Sequence, residues 1–149
     1  MLRSWVLAGA CLAFVGLAHA AGGPPDPVVG DWMTPGGGAK VRIAACPANP
    51  SQLCGDMVWL KNGLDKAGKP LRDIANPDPA LRARPWVGMP FIIGFSRDAP
   101  GRWSGGRIYD PDSGKTYRSK MRINDDGTLK LEGCVLILCQ AQTWTRPAS

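Results

Sequence analysis

Four clusters of turn-forming residues constrain this chain most: Pro35-Gly36-Gly37-Gly38, Ala99-Pro100-Gly101, Asp110-Pro111-Asp112-Ser113-Gly114 and Asn124-Asp125-Asp126-Gly127. Glycine, asparagine and aspartate adopt positive φ at little cost, so such clusters turn one strand directly into the next. Around them lie eight short apolar runs, at about residues 28–34, 39–45, 53–60, 91–95, 101–109, 116–123, 128–133 and 140–146. Short runs bounded by turn signals predict an all-β fold of antiparallel strands. An even number of strands joined by hairpins can close into an eight-stranded up-and-down barrel, which removes exposed sheet edges.

Alternation gives two of the strands a defined face. Val41, Ile43 and Ala45 oppose Lys40 and Arg42, while Tyr117, Ser119, Met121 and Ile123 oppose Thr116, Arg118, Lys120 and Arg122. The second strand therefore carries a basic outer face, read as either a solvated surface or an anionic docking stripe. Residues 61–90 break the pattern, being too polar and proline-rich for regular strands. A structureless loop of that length is uncommon in a compact domain, so a partly helical excursion between the third and fourth strands is expected. Asp78 would cap a short turn with Pro79 first, residues 80–84 as its body and Pro85 as its stop, packed over one mouth or side of the barrel.

The N-terminus reads as a secretory signal peptide over residues 1–20. Arg3 supplies the positive end, residues 5–17 the apolar stretch and Ala18-His19-Ala20 the cleavage site. A Gly/Pro leader at 21–27 and a single barrel domain at 28–149 would follow, in the periplasm or secreted. Cleavage near Ala20 removes His19, the chain's only histidine, and with it histidine-based catalysis and metal ligation. The 18 basic residues include Arg3, so against 12 acidic ones the mature chain carries a formal +5. That charge suits anionic envelope lipids or polyanions and also ordinary solubility, while export argues against nucleic acid.

Cys46, Cys54, Cys134 and Cys139 survive cleavage, and an even number in an exported chain suggests two disulfides. Of the three connectivities, Cys46–Cys54 with Cys134–Cys139 is favoured, since each pair brackets a segment able to turn back within a sheet. A zinc site is the weaker reading, because neither pair has the two-residue spacing of zinc knuckles. Neither a metal nor a cofactor is expected.

Gly30-Asp31-Trp32 opens the first run and Trp144-Thr145-Arg146 closes the last. A tryptophan plugging one end of a small barrel, with a late arginine over its ring, resembles the end-closing device of lipocalins and related calycins. A resemblance over nearly the whole mature chain lies in Gly30-Asp31-Trp32, Cys54-Gly55-Asp56-Met57-Val58-Trp59-Leu60, Asp73-Ile74-Ala75-Asn76-Pro77, Ile108-Tyr109-Asp110-Pro111, Gly114-Lys115-Thr116-Tyr117 and Thr143-Trp144-Thr145-Arg146. Together these resemble the bacterial exported family catalogued as domain of unknown function 2147. The resemblance implies a secreted lipocalin-like barrel, with Gly30, Trp32 and Arg146 closing it, and carries over no catalytic residue.

Chemistry beyond this is sparse. Asp73, Asp78, Asp110 and Asp112 are candidates for a carboxylate pair able to hydrolyse a glycosidic bond, but each also suits a loop, capping or turn role. No serine-nucleophile elbow or phosphate-binding glycine loop occurs. Gly105-Gly106 reads as a bulge that decides whether Arg107 faces outward, the favoured reading, or inward as a clamp for an acidic ligand. Trp59, Trp86, Phe91, Trp103, Tyr109 and Tyr117 could line a cavity or fill it, with Phe95 among them. Val135-Leu136-Ile137-Leu138, between two cysteines, is an apolar tip that would cover the barrel mouth, meet a partner or touch lipid. The leading expectation is a non-enzymatic exported carrier of a small amphipathic ligand. Its rivals are a packed barrel acting on envelope partners through its basic face or tip, and a carboxylate-based hydrolase.

Overall fold

The computed structural model describes residues 26–148, so the expected leader at 1–20 and its cleavage point lie outside the described residues. Eight strands follow one another as β1 (Gly30–Met33), β2 (Ala39–Ala45), β3 (Gln52–Leu60), β4 (Pro90–Ala99), β5 (Arg102–Asp110), β6 (Lys115–Ile123), β7 (Leu129–Val135) and β8 (Leu138–Trp144). They form one sheet in sequence order, each antiparallel to the next. In such a meander the β2–β3, β4–β5 and β6–β7 turns share one end with the two ends of the sheet's chain path. The β1–β2, β3–β4, β5–β6 and β7–β8 connections share the other.

The sheet curls into a half-barrel and does not close fully. Thr34 turns the chain back after four residues: its amide donates to the Ala39 carbonyl and its Oγ1 accepts from the Ala39 amide, both at 2.9 Å. β1 is thus shorter than β8, and among the described residues only Met33 pairs across the seam, with Thr145. Among the described residues the outer edge of β8 before Thr145 has no strand partner, which leaves a lateral opening toward the second end.

Alternating side chains fill the curl near the first end. Val28, Trp32, Val41, Ile43, Phe95, Trp103 and Leu129 are buried there, and Ile92 and Trp144 belong to the same buried cluster. Gly105, at φ 70°, makes the bulge expected in β5. Gly106 then faces Phe95 so closely that a Cβ would lie 2.1 Å from Phe95 Cδ2, which only glycine avoids.

The β3–β4 excursion departs from expectation. It contains no α-helix, only a 3-10 turn at Pro79–Leu81 in which Asp78 caps the Ala80 amide at 2.9 Å. Pro70, Pro77, Pro79 and Pro85 deny it a continuous helical ladder. Its backbone bonds instead cross between two arms, Trp86 N to Leu71 O at 3.0 Å and Asp73 N to Arg84 O at 3.1 Å. Met89 carries the second arm into a cluster with Met57 and Tyr109, against which Phe91, Trp86 and Ile93 pack.

Candidate functional site

The first end of the half-barrel is plugged. Arg146 lies with its guanidinium 3.8 Å from the Trp32 ring centroid and donates to the carbonyls of Pro27, Val29 and Asp31. Trp32 Nε1 donates to Val28 O at 2.7 Å. Gly30 sits at φ 117°, and a Cβ there would come within 2.9 Å of Arg146 Nη1. The glycine, tryptophan and arginine are therefore one device: the small residue makes room for the cation that covers the ring.

The other end holds a cavity of about 560 Å³. Trp144, Leu131, Ile108, Phe91 and Tyr117 form its apolar walls, and Gly133, Gln140 and Gln142 line the side toward the lateral opening. Asp110, Tyr109, Val135 and Leu138 complete the lining. Trp144 is fully buried, its ring centroid 6.0 Å from that of Phe91, and its Nε1 donates to Gln142 Oε1 at 3.0 Å. Space remains because β8 runs past β1 and Gly133 supplies no side chain.

Tyr109 joins this end to the excursion. Its hydroxyl donates to Asp73 Oδ1 at 2.5 Å and accepts from Asn76 Nδ2 at 3.1 Å. Asp73 is fully buried and also receives Asn76 Nδ2 at 2.7 Å and Arg84 Nε at 2.9 Å. Burial would raise the Asp73 pKa, but hydrogen bonds from Tyr109, Asn76 and Arg84 outweigh it and hold the carboxyl below its ordinary range. Burial, then the hydrogen bond to Asp73, pushes the Tyr109 hydroxyl up. Arg84 lies over the Tyr109 ring, and a Cβ at Gly114 would strike the Ala75 carbonyl, so the β5–β6 turn packs directly on this loop. The cluster is a latch. The sequence offered Asp73 a local loop role, whereas side chains from three places satisfy it.

Of the aromatic residues singled out in the sequence, Phe91, Tyr109 and Tyr117 line the cavity. Trp103 is buried in the plugged half, below an Arg97 guanidinium 5.6 Å from its ring centroid. Trp59 stands exposed opposite Lys40, because a bulge at the β2–β3 pairing turns it outward. Trp86 is half-buried on the excursion and donates to Arg72 O at 3.0 Å. Arg107 is exposed, opposite Arg118, so it does not clamp a ligand inside. Leu131, Gly133, Gln140, Gln142 and Trp144 were missed as lining. Their signal was the two-residue spacing within 131–133 and 140–144, obscured by the polarity of two glutamines.

The carboxylates have local partners. Asp110 accepts the Asp112 amide at 3.1 Å and the Ser113 hydroxyl at 2.5 Å, and Asp78 caps its turn. Cys46–Cys54 and Cys134–Cys139 are disulfides, the pairing expected from spacing, and are consistent with an extracellular or periplasmic location. The second bridge holds a bare apolar tip: Val135, Leu136, Ile137 and Leu138 are 55%, 96%, 94% and 76% exposed. Val135 and Leu138 also line the cavity, so the tip stands at its mouth.

An eight-stranded antiparallel sheet curled about a plugged end and an open cavity defines a lipocalin-like fold. The comparison with solved structures agrees: protein HP1028 from Helicobacter pylori, described as belonging to the lipocalin family, superposes with a TM-score of 0.68 over 80% of this chain and 82% of its own, at 21% identity. Residues 30–146 match the model of a family described as an uncharacterized protein conserved in bacteria, domain of unknown function 2147, and the chain belongs to that family. Among curated proteins none is significantly similar in sequence.

Proposed function

We propose that this protein is an exported carrier of a small amphipathic molecule, bound in the open half of the half-barrel and working in the periplasm or outside the cell. The observation that carries the reading is the cavity itself. A space of about 560 Å³ lies within the range of small-molecule sites, is walled by aromatic and aliphatic side chains, and has polar groups at one side. A packed barrel would have filled it. An apolar ligand segment would rest on Trp144, Phe91 and Leu131, with its polar end toward Gln140 or Gln142. Non-enzymatic binding fits Asp73, Asp78 and Asp110, whose carboxylate oxygens accept from the latch, a turn amide, or a turn amide and hydroxyl.

Native mass spectrometry of the protein isolated from its own exported compartment, followed by organic extraction, tests this. A stoichiometric small molecule released on denaturation is the expected result. A clean apo mass, together with no uptake of a fluorescent fatty acid by the purified protein, would overturn the carrier reading.

A further inference from the structure

Two exposed cations and the base of the exposed tip lie in one register. Arg107 pairs with Arg118, Arg118 with Cys134, and Cys134 with Cys139, so one row crosses β5 to β8 and ends at the disulfide. Both arginines are exposed, and neither makes an ion pair among the described residues. Like charges directly opposite on neighbouring strands destabilise a sheet, which an anionic partner would offset. Asp110, the nearest cavity-lining acid, is turned toward the Asp112 amide and Ser113. Immediately beyond the row on β7 and β8 lie the four exposed apolar residues, bridged at their base by Cys134–Cys139, beside the β5–β6 hairpin that runs on to Asp110 opposite Lys115.

We infer that the β7–β8 tip inserts into the surface of an anionic phospholipid bilayer, with Arg107 and Arg118 among the headgroups. The dimensions fit. At about 3.3 Å per residue the tip reaches roughly 7 Å past the arginine row, the depth at which interfacial segments bury their apolar side. Exposed large aliphatic side chains beside these two cations match a bilayer, in which apolar depth lies beneath anionic headgroups. Val135 and Leu138 line the cavity as well as the tip, so docking brings the mouth to the membrane. That last consequence, transfer of a lipid between bilayer and cavity without crossing water, rests on the carrier reading; the docking itself does not.

Flotation of the purified protein with phosphatidylglycerol-containing vesicles, against vesicles of phosphatidylcholine alone, tests the docking. Wild type should float with the anionic vesicles, and less so as salt rises. L136D/I137D should lose about a hundredfold in partitioning, the effect of removing two large buried aliphatic side chains. R107Q/R118Q should lose on the order of tenfold on anionic vesicles and little on neutral ones. Ile137→Trp should retain binding and shift its added emission to the blue. Failure of wild type to float, equal flotation of the aspartate variant, or a dimer in solution that the aspartate variant dissolves would overturn the proposal. Fluorescent fatty acid uptake in vesicle-free buffer separates the two readings. Uptake without flotation rejects docking alone, and flotation without uptake rejects carriage alone.

Discussion

Met33 and Thr145 exchange both backbone hydrogen bonds, at 2.8 and 3.1 Å, and among the described residues this one pair joins β1 to the chain end beyond β8. It joins the sheet's two edges where Trp32 and Arg146 plug it and, among the described residues, leaves the outer edge of β8 without a strand beside the cavity. Stability and access are therefore assigned to opposite ends of the same sheet.

Arg146→Ala should lower unfolding free energy by about 2–3 kcal/mol, since it removes the ring contact and the donors to three carbonyls at once. Arg146→Lys should recover only part, because a single ammonium cannot fork to carbonyls from Pro27, Val29 and Asp31. Urea denaturation of the three proteins measures both effects.

Gly106→Ala forces a methyl group into the Phe95 ring and should cost about 1–3 kcal/mol. Combining it with Phe95→Leu should cost less than the sum of the two single changes, because the smaller side chain makes room. Additivity in a double-mutant cycle would show that the clash is relieved elsewhere.

The latch sets a pH window. Asp73 has its pKa depressed, so its contribution is complete above the unfolded value of about 4 and is lost as pH falls through the folded one. Tyr109 has its pKa raised, so its contribution is complete below about 10 and is lost as pH rises further. Asp73→Asn should be about 2–4 kcal/mol less stable at pH 7, through an Arg84 left without its buried anion, and should lose less stability on acidification than wild type. Thermal melts from pH 3 to 8 give the comparison.

Gly133→Leu tests the cavity. A Cβ at Gly133 meets only ordinary contacts, 3.8 Å from Ser119 Oγ and Tyr117 Cβ, so the side chain can enter the space without forcing the backbone. Fatty acid uptake should fall tenfold or more while the melting temperature stays within a few degrees of wild type. Unchanged uptake would place the ligand elsewhere.

Strand number, order and most boundaries were legible in the chain, as were both disulfides and the Trp32–Arg146 plug. These rest on local rules. Gly36, Gly101, Gly114 and Gly127 adopt the positive φ that turns require, and the alternation of Val41 and Ile43 against Lys40 and Arg42 assigns a face whatever the rest of the chain does. Trp103 is buried inside as expected, but Trp59, expected to line or fill the interior, faces outward, because one bulge reverses a strand's parity and its position is set by the partner strand.

An antiparallel meander with a plugged end follows from local residue patterns alone, because turn chemistry, two-residue periodicity and cysteine spacing act over a few residues. Only the tertiary structure decided that the barrel stays open, that Asp73 reaches Tyr109 across 36 positions, and that the apolar tip stands beside the cavity. Each of these depends on which distant segments meet when the sheet curls, and pairwise contact between remote residues leaves no periodic signature in the chain that makes it.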